Sequence, residues 1–509
     1  MNMSNNIVFN EDNTHFFRNG DSIENLNEND IRAFIDKYAG TQISDFMLTC
    51  YGQMANYPSS VCEDLLDKYD QKEENGYKVD YTTNPVVRCI NKLYKGKKID
   101  FYAICLDELR KIGIHPWLSI RMNDCHNSDA VTSYLHSDFY YNHPEYQRVR
   151  HRHPLAYFDR NYDYAVPEIR EMMLSIIEEV SLRYDADGIE LDWMRESYCF
   201  QVGHEWEGIE TINEFMRETR RIIDRAEEKW GHTIQIAVRT LRDPQMALDS
   251  GFDVVQWCRE GLVDMVIPSP RWLTTDSDIP VEIWKRMLHR CKVKLAVGIE
   301  LGIQNHWNLN QHFHTRIEHV NALAAQYLSE GADKIYLFNY FWYSPEQLNQ
   351  IEAYREGAST VPQNCMSLLK TIGSRETVLH ADRRHVMTFA DHGPVWYNNR
   401  NTAALPLIVK SGNEGFLRLR VGSIPPEAKV EIRLGINGED TDEPIVYVNS
   451  SICMFNRIET VYPPFTSKVL VYDVCNDGAM PPFLVIEIMA REKDIVIDYA
   501  EAHVFCVNC

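Results

Sequence analysis

Residues 184–196 read YDADGIELDWMRE. The core of this stretch, ADGIELDWM (186–194), has the composition of a buried strand that ends in charge. Alternation along a strand puts Ile189, Leu191 and Trp193 on one face and Gly188, Glu190, Asp192 and Met194 on the other. Two carboxylates on one face of an apolar strand are costly to bury unless they are paired or belong to a solvated site. The stretch therefore predicts both a strand and a place where chemistry is done.

Working outward, the same grammar of short apolar strand, loop and amphipathic helix repeats from residue 7 to about 358. Eight strand candidates stand out: IVFNED (7–12), ISDFMLTCYG (43–52), HPWLSIRMN (115–123), ADGIELDWM (186–194), TIQIAVRT (233–240), VDMVIPSP (263–270), KLAVGIEL (294–301) and KIYLFNYF (334–341). VPEIREMMLSIIEEVSLRY and IETINEFMRETRRIIDRAEEKW carry apolar residues at helical spacing. Eight strands alternating with helices predict an α/β chain whose first domain is a (β/α)8 TIM barrel. A doubly wound open sheet is the alternative, but no GxGxxG follows the first strand. The loop from Asp124 to about Val166 is long and rich in His, Tyr and Arg; following strand 3, it belongs on the barrel's catalytic face. After about residue 365 the grammar changes. PLIVKSG, GFLRLRVG, KVEIRLGING, PIVYVNS, SKVLVYDV, FLVIEIMA and IVIDYAEAHVF are short runs separated by Gly, Pro, Asn and Asp, the pattern of a C-terminal antiparallel β-sandwich. The expected organisation is a barrel over 1–358, a connector over 359–381 and a sandwich over 382–509.

Bulk composition narrows the partners. The 509 residues are 44% hydrophobic and 25% charged, with a formal net charge of −22. That acidity opposes nucleic acid or an anionic membrane as partner. No apolar run approaches the ~18–20 residues of a membrane span. The opening MNMSNNIVFNEDN lacks the basic and apolar regions of a signal peptide. The 13 cysteines are scattered through strands and helices, and the C-x-x-C spacing of Cys506 and Cys509 stands alone. They read as reduced thiols, so the expected location is the cytoplasm. No oligomeric state is specified.

A barrel's active site lies where its strands end. Strand 1 ends in Asn10 and Asp12, strand 2 in Tyr51 and Gln53, strand 3 in Arg121, Asn123 and Asp124. Strand 4 supplies Glu190 and Asp192, with Arg195 and Glu196 just beyond. Arg239 ends strand 5, Trp272 follows strand 6, Glu300 ends strand 7 with Trp307 beyond it, and strand 8 leads to Asn339 and Trp342. Carboxylates and amides bind hydroxyls, and indole faces cover the apolar faces of sugar rings. The expected ligand is therefore a carbohydrate. Asp192 and Glu300, at the ends of strands 4 and 7, form the candidate catalytic pair, because glycoside hydrolysis needs one carboxyl to protonate the leaving oxygen and another to attack or to activate water. The alternation Ala296, Gly298, Glu300 is expected to leave room beneath the second carboxylate. Glu190 lies one layer deeper, where it would anchor an arginine. His151 and His153 form an H-x-H. In metal-dependent barrel hydrolases that motif sits on the first strand, which here is IVFNED, so neither a metal nor another cofactor is expected.

At YDADGIELDWMR, with GTQISDFML, PWLSIRMND and VPEIREMML around it, the chain resembles the bacterial barrel proteins grouped as family-10-like hypothetical glycosyl hydrolases. The resemblance covers roughly residues 5–360 and implies a (β/α)8 glycosidase acting on a carbohydrate. The strand-4 motif is also similar to the chitinase DGxDxDxE. Asp187, Glu190 and Asp192 fill its three acidic places, while Met194 takes the place of that family's catalytic Glu, against a chitinase mechanism. The strand-4 and strand-7 carboxylates resemble the layout of the large retaining-glycosidase clan, although the Asn-Glu pair typical of its strand 4 is absent. Some α-glycosidases instead use a strand-4 Asp as nucleophile. The expected function is a two-carboxylate glycoside hydrolase. The alternatives are a non-catalytic carbohydrate-binding barrel, or a lyase or metal-assisted hydrolase on the same fold.

Overall fold

Strands form where apolar and β-branched residues cluster, and here they are buried along nearly their whole length, as strands enclosed by helices must be. In the computed structural model these are β1 (Ile7–Glu11), β2 (Ile43–Tyr51), β3 (His115–Arg121), β4 (Gly188–Asp192), β5 (Gln235–Leu241), β6 (Met265–Ser269), β7 (Lys294–Ile299) and β8 (Lys334–Phe338). They close into a barrel in the order β1-β8-β7-β6-β5-β4-β3-β2, the TIM-barrel arrangement expected of alternating strands and helices. The structure describes residues 5–12, 14–150, 157–271, 274–304, 312–338, 340, 365–389, 404–436, 443–459, 466–476 and 480–505. Two compact units are present: Val8–Pro268 with Ile283–Ala296, and Met1–Ile7 with Ser269–Glu282 and Val297–Cys509.

In the unit built on Val8–Pro268, the two amphipathic segments are helices α1 (Pro167–Arg183) and α2 (Glu205–Trp230). Proline at the first position of α1 lacks only an N–H that a helix start leaves unpaired. The alternating faces of β4 are as the sequence implies. Trp193 packs outward, its ring 5.2 Å from Tyr164, 5.9 Å from Phe215 of α2 and 5.1 Å from Phe252. Gly188 faces the interior, where a Cβ would lie 2.2 Å from the Trp117 ring. Trp117, on β3 opposite Gly188, is buried and donates from Nε1 to Asp45 Oδ1 at 3.1 Å. The glycine of DGIELD is thus the space that this indole fills.

In the other unit, antiparallel strands form two sheets. One contains β9 (Arg383–Val386), β10 (Leu407–Val409), β12 (Lys429–Ile436), β15 (Met454–Glu459), β16 (Lys468–Val474) and β18 (Ile495–Phe505), in the order β9-β18-β12-β16-β15 with β10 also on β18. The other contains β11 (Glu414–Arg420), β13 (Ile445–Val448), β14 (Ser451–Ile452) and β17 (Phe483–Met489), in the order β11-β17-β13-β14. Leu417, Leu419, Ile432, Leu434, Ile486, Ile488, Ala500 and Ala502 belong to one buried core, the alternating inner faces of a sandwich. Three of its strands, β9, β14 and β15, are absent from the sequence-derived set. β15 (MFNRIE) leaves Met454 and Phe455 exposed and has no apolar alternation to betray it.

Candidate active site

Strand register builds the site. Across β3, β4 and β5 the paired positions are Trp117–Gly188–Gln235, then Ser119–Glu190–Ala237, then Arg121–Asp192–Arg239. In-register neighbours on parallel strands point to the same face. Above the indole floor lies a layer centred on Glu190, and above that, at the C-terminal strand ends, a carboxylate stands between two guanidiniums.

Asp192 is buried. Its Oδ2 lies 3.2 Å from Nη1 of Arg239, and its Oδ1 accepts the Met194 backbone N–H at 3.0 Å. Met194, which displaces the chitinase glutamate, therefore contributes its backbone. Arg121 forks: Nη2 donates to Asp12 Oδ2 at 2.9 Å and Nη1 to Asp124 Oδ2 at 2.8 Å. Burial opposes its charge, but Asp12, Asp124 and Asp192 more than compensate and hold its pKa above the ordinary arginine value. The Asp124 side chain is buried too, yet the hydrogen bond from His126 and the Arg121 guanidinium hold its carboxyl well below the usual carboxylate range. His126 continues the chain, with Nδ1 2.6 Å from Asp124 and Nε2 2.7 Å from Nη2 of Arg195. A guanidinium cannot accept, so in this arrangement Nε2 accepts and Nδ1–H donates to Asp124. Asp12, Arg121, Asp124, His126 and Arg195 thus form one continuous polar relay from β1 to the loop after β4. Both ring nitrogens of His126 are engaged in it.

One layer down, Glu190 Oε2 accepts from the Asn10 amide of β1 at 2.8 Å, both groups buried. In the barrel order β2 and β3 separate β1 from β4, so this bond crosses the interior. Asn10 is thus one partner of Glu190, an amide reaching the layer beneath Asp192.

Asn123 serves the long loop. Its amide nitrogen donates to the carbonyls of Tyr162 and Tyr198 at 3.0 and 3.1 Å, and its oxygen accepts the Tyr162 N–H at 3.0 Å. Gln53 donates to Nδ1 of His136 in the same loop at 3.4 Å. His136 stacks on Tyr140 at 4.4 Å, and burial lowers its pKa to about 4. Arg148 is buried, donating to Asp159 Oδ1 at 3.2 Å and to the Phe200 carbonyl at 2.9 Å. Glu196 is buried near the Tyr157 hydroxyl, 3.5 Å away. Of these loop anchors, His136 and Arg148 carry no sequence signal beyond the loop's composition.

In the other unit, Glu300 is buried, its backbone N–H 3.4 Å from Thr275 Oγ1 and its carbonyl accepting from the Tyr340 hydroxyl at 2.8 Å. The space at Gly298 is taken: a Cβ there would lie 2.3 Å from Ser269 Oγ. Trp272, Trp307, Asn339 and Trp342, together with His151 and His153, lie outside the described residues. Among the described residues no group of His, Cys, Asp and Glu is arranged to hold a metal ion, and no helix is long and apolar enough to cross a membrane.

No family model matches this chain, and no curated protein does. Solved structures similar to it include a Paenibacillus sp. cycloisomaltooligosaccharide glucanotransferase complexed with cycloisomaltoheptaose (9% identity, 97% of this chain and 57% of that chain, TM-score 0.35). A multi-modular, cell-surface-expressed chitinase from Paenibacillus sp. str. FPU-7 gives 11% identity over 97% of this chain and 56% of that one, with a TM-score of 0.40. An α-L-fucosidase from Paenibacillus thiaminolyticus gives 11% identity, 96% and 97% coverage and a TM-score of 0.34. The chain thus spans little more than half the length of the first two. Likeness at this level carries no argument about activity or substrate.

Proposed function

We propose that this chain is a glycoside hydrolase of the family-10-like kind that its strand-4 motif resembles, cleaving O-glycosidic bonds of oligosaccharides or glycosides with Asp192 and Glu300 as its two carboxylates. The observation that carries this reading is the in-register row Arg121–Asp192–Arg239 at the strand ends, a buried carboxylate presented between guanidiniums. A structural acid needs one arginine; the polar relay from Asp12 to Arg195 beside this one supplies the acceptors and donors that a polyhydroxylated ligand uses.

The ion pair with Arg239 gives Asp192 the anionic role. It attacks the anomeric carbon, or activates the water that does, while the departing glycosidic oxygen takes its proton from the second carboxyl, for which Glu300 is the candidate. Asp12, Gln53, Asp124, Glu196 and Arg121 would line the sugar site, with Asn123 and Glu190 acting beneath them. Trp272, Trp307, Asn339 and Trp342 complete the proposed set. The proposed location is a reducing compartment such as the cytoplasm, as expected for cysteines scattered through strands and helices.

The test is a screen of aryl glycosides of both anomers with wild type, Asp192→Ala and Glu300→Ala. Turnover by wild type that falls by about 10³ or more in each variant is expected, as for removal of a nucleophile or an acid. Turnover that survives both substitutions would sink the assignment.

A further inference from the structure

A second cavity lies wholly within the unit that carries the sandwich, and it shares no residue with the strand-end site. Its volume is about 450 Å³, the size of a small-ligand pocket. One wall comes from Glu282, near the start of helix α3 (Val281–Leu288), and from Ser329 and Glu330 at the end of helix α4 (Ile317–Glu330). The facing wall comes from the end of β11 and the start of β17, with Arg420, Ser423, Ile424, Met480, Pro482 and Phe483. Gly422 has φ +63, and a Cβ there would lie 2.8 Å from the Gln326 Cα, so only glycine lets this loop run against α4.

The walls differ in chemistry. Ile424, Met480, Pro482 and Phe483 make an apolar surface. On the same wall the Arg420 guanidinium lies 4.8 Å from the Phe483 ring centroid and reaches across, donating from Nη1 to both oxygens of Glu282 at 2.8 and 2.9 Å and, at 3.3 Å, to Oε1 of Glu330. Its Nε is taken by Asp278. Arg375 donates to Ser423 Oγ at 3.1 Å and Arg383 to the Ser423 carbonyl at 3.0 Å, so the cations here are matched to carboxylates and acceptors. What is left over is specific. The Glu330 side chain is only 8% exposed, and its Oε2 has no hydrogen-bond partner. Beside it, Ser329 Oγ is buried and equally unpaired. A buried carboxylate oxygen without a donor keeps the cost of its lost hydration. Burial accordingly raises the Glu330 pKa to about 7, with Arg420 opposing and Glu282 reinforcing the rise.

We propose that this cleft is an accessory saccharide site, taking a neutral hydroxylated ring of mono- or disaccharide size. Ring hydroxyls would donate to Glu330 Oε2 and exchange hydrogen bonds with Ser329 and Ser423, while the C–H face of the ring rests on Ile424 and Met480. The site does not depend on the barrel being a glycosidase.

The experiment is titration of the full chain by calorimetry, with saturation-transfer NMR, using D-glucose, N-acetyl-D-glucosamine, L-fucose and maltose, and with 1,4-diaminobutane as a cationic control. At least one saccharide should bind in the millimolar range. Glu330→Gln should weaken it about tenfold, the loss of a hydrogen bond to a charged group, and Ile424→Trp, which fills the apolar side, should abolish it. Asp192→Ala should bind as wild type does, so failure of the barrel reading and failure of this one are read separately. The proposal is overturned if no saccharide binds at tens of millimolar, if both cleft variants bind like wild type, or if the diamine binds more tightly than every sugar.

Discussion

Replacing Arg239 by methionine tests the row of charges directly. Asp192 and Arg239 are 1% and 2% exposed in their side chains, so neither charge is solvated once the other is gone. Breaking such a buried pair from one side costs about 3–5 kcal/mol. Asp192 would retain the Met194 N–H, and Arg121 remains in register beside it. The lower end of the range, about 3 kcal/mol, is therefore expected, more than a hundredfold in the folding equilibrium. Asp192→Leu in turn removes the carboxylate that Arg239 Nη1 faces at 3.2 Å and should also destabilise. In the double variant neither charge is left alone, so its cost should fall short of the sum of the singles by about 2 kcal/mol, within the range for contacting residues. Urea denaturation followed by fluorescence and circular dichroism gives the three free energies. If the cycle closes with a coupling below about 0.5 kcal/mol, the value of independent sites, the two residues do not act as a pair and the reasoning from register fails. On the proposed function, Arg239→Met should also cut glycoside turnover, because the carboxylate has lost the guanidinium 3.2 Å from it.

Gly188→Ala drives a methyl group into the Trp117 ring, which Asp45 holds in place; a loss of about 3 kcal/mol is expected, largely relieved by adding Trp117→Leu, and denaturation of the two variants measures it. Acid should destabilise the protein through its buried neutral histidines. Burial lowers His136 to about 4 and His503 to about 3, from an ordinary 6.5. The unfolded chain therefore binds protons first, so the stability these groups contribute is complete above pH 6.5 and is lost as pH falls toward the folded values. At pH 5 each has cost about 2 kcal/mol, and His136→Gln or His503→Gln should flatten the slope of stability between pH 6.5 and 5 accordingly. Asn123→Ala removes two hydrogen bonds to Tyr162 in the loop after β3 and one to Tyr198 in the segment after β4; faster proteolysis within 124–166 is expected, with a higher KM for any cleaved glycoside and a smaller change in kcat.

The barrel is readable because its physics is local. A parallel strand under helices must be apolar along most of its length, so each of β1 to β8 announces itself within a few residues, and alternation separates Trp193 from Asp192 without any knowledge of the neighbours. The odd pieces of the sandwich, β9 and β15, escape for the complementary reason: one is rich in arginine and histidine, the other exposes its apolar residues, and only pairing with β18 and β16 makes them strands. The site divides along the same line. That Asp192 needed a cation could be inferred from the cost of burying it on an apolar strand. Which cation could not, because Arg121, Arg195 and Arg239 all fall near strand ends and the choice depends on register between strands some seventy and fifty positions apart in sequence. Register resolves it by layer: Gly188 with the indole, Glu190 one step up where an amide from β1 reaches it, Asp192 at the level of two guanidiniums. Asn123 illustrates the reverse case. It has the residue type and strand-end position of a sugar ligand, yet its amide is engaged by backbone groups of Tyr162 and Tyr198. Residue type and strand end select candidates; the partners that face each side chain decide which of them retain free hydrogen-bonding capacity. By that criterion Asn123 is a support for the backbone around it, while the proposed chemistry rests on the charged row Arg121–Asp192–Arg239.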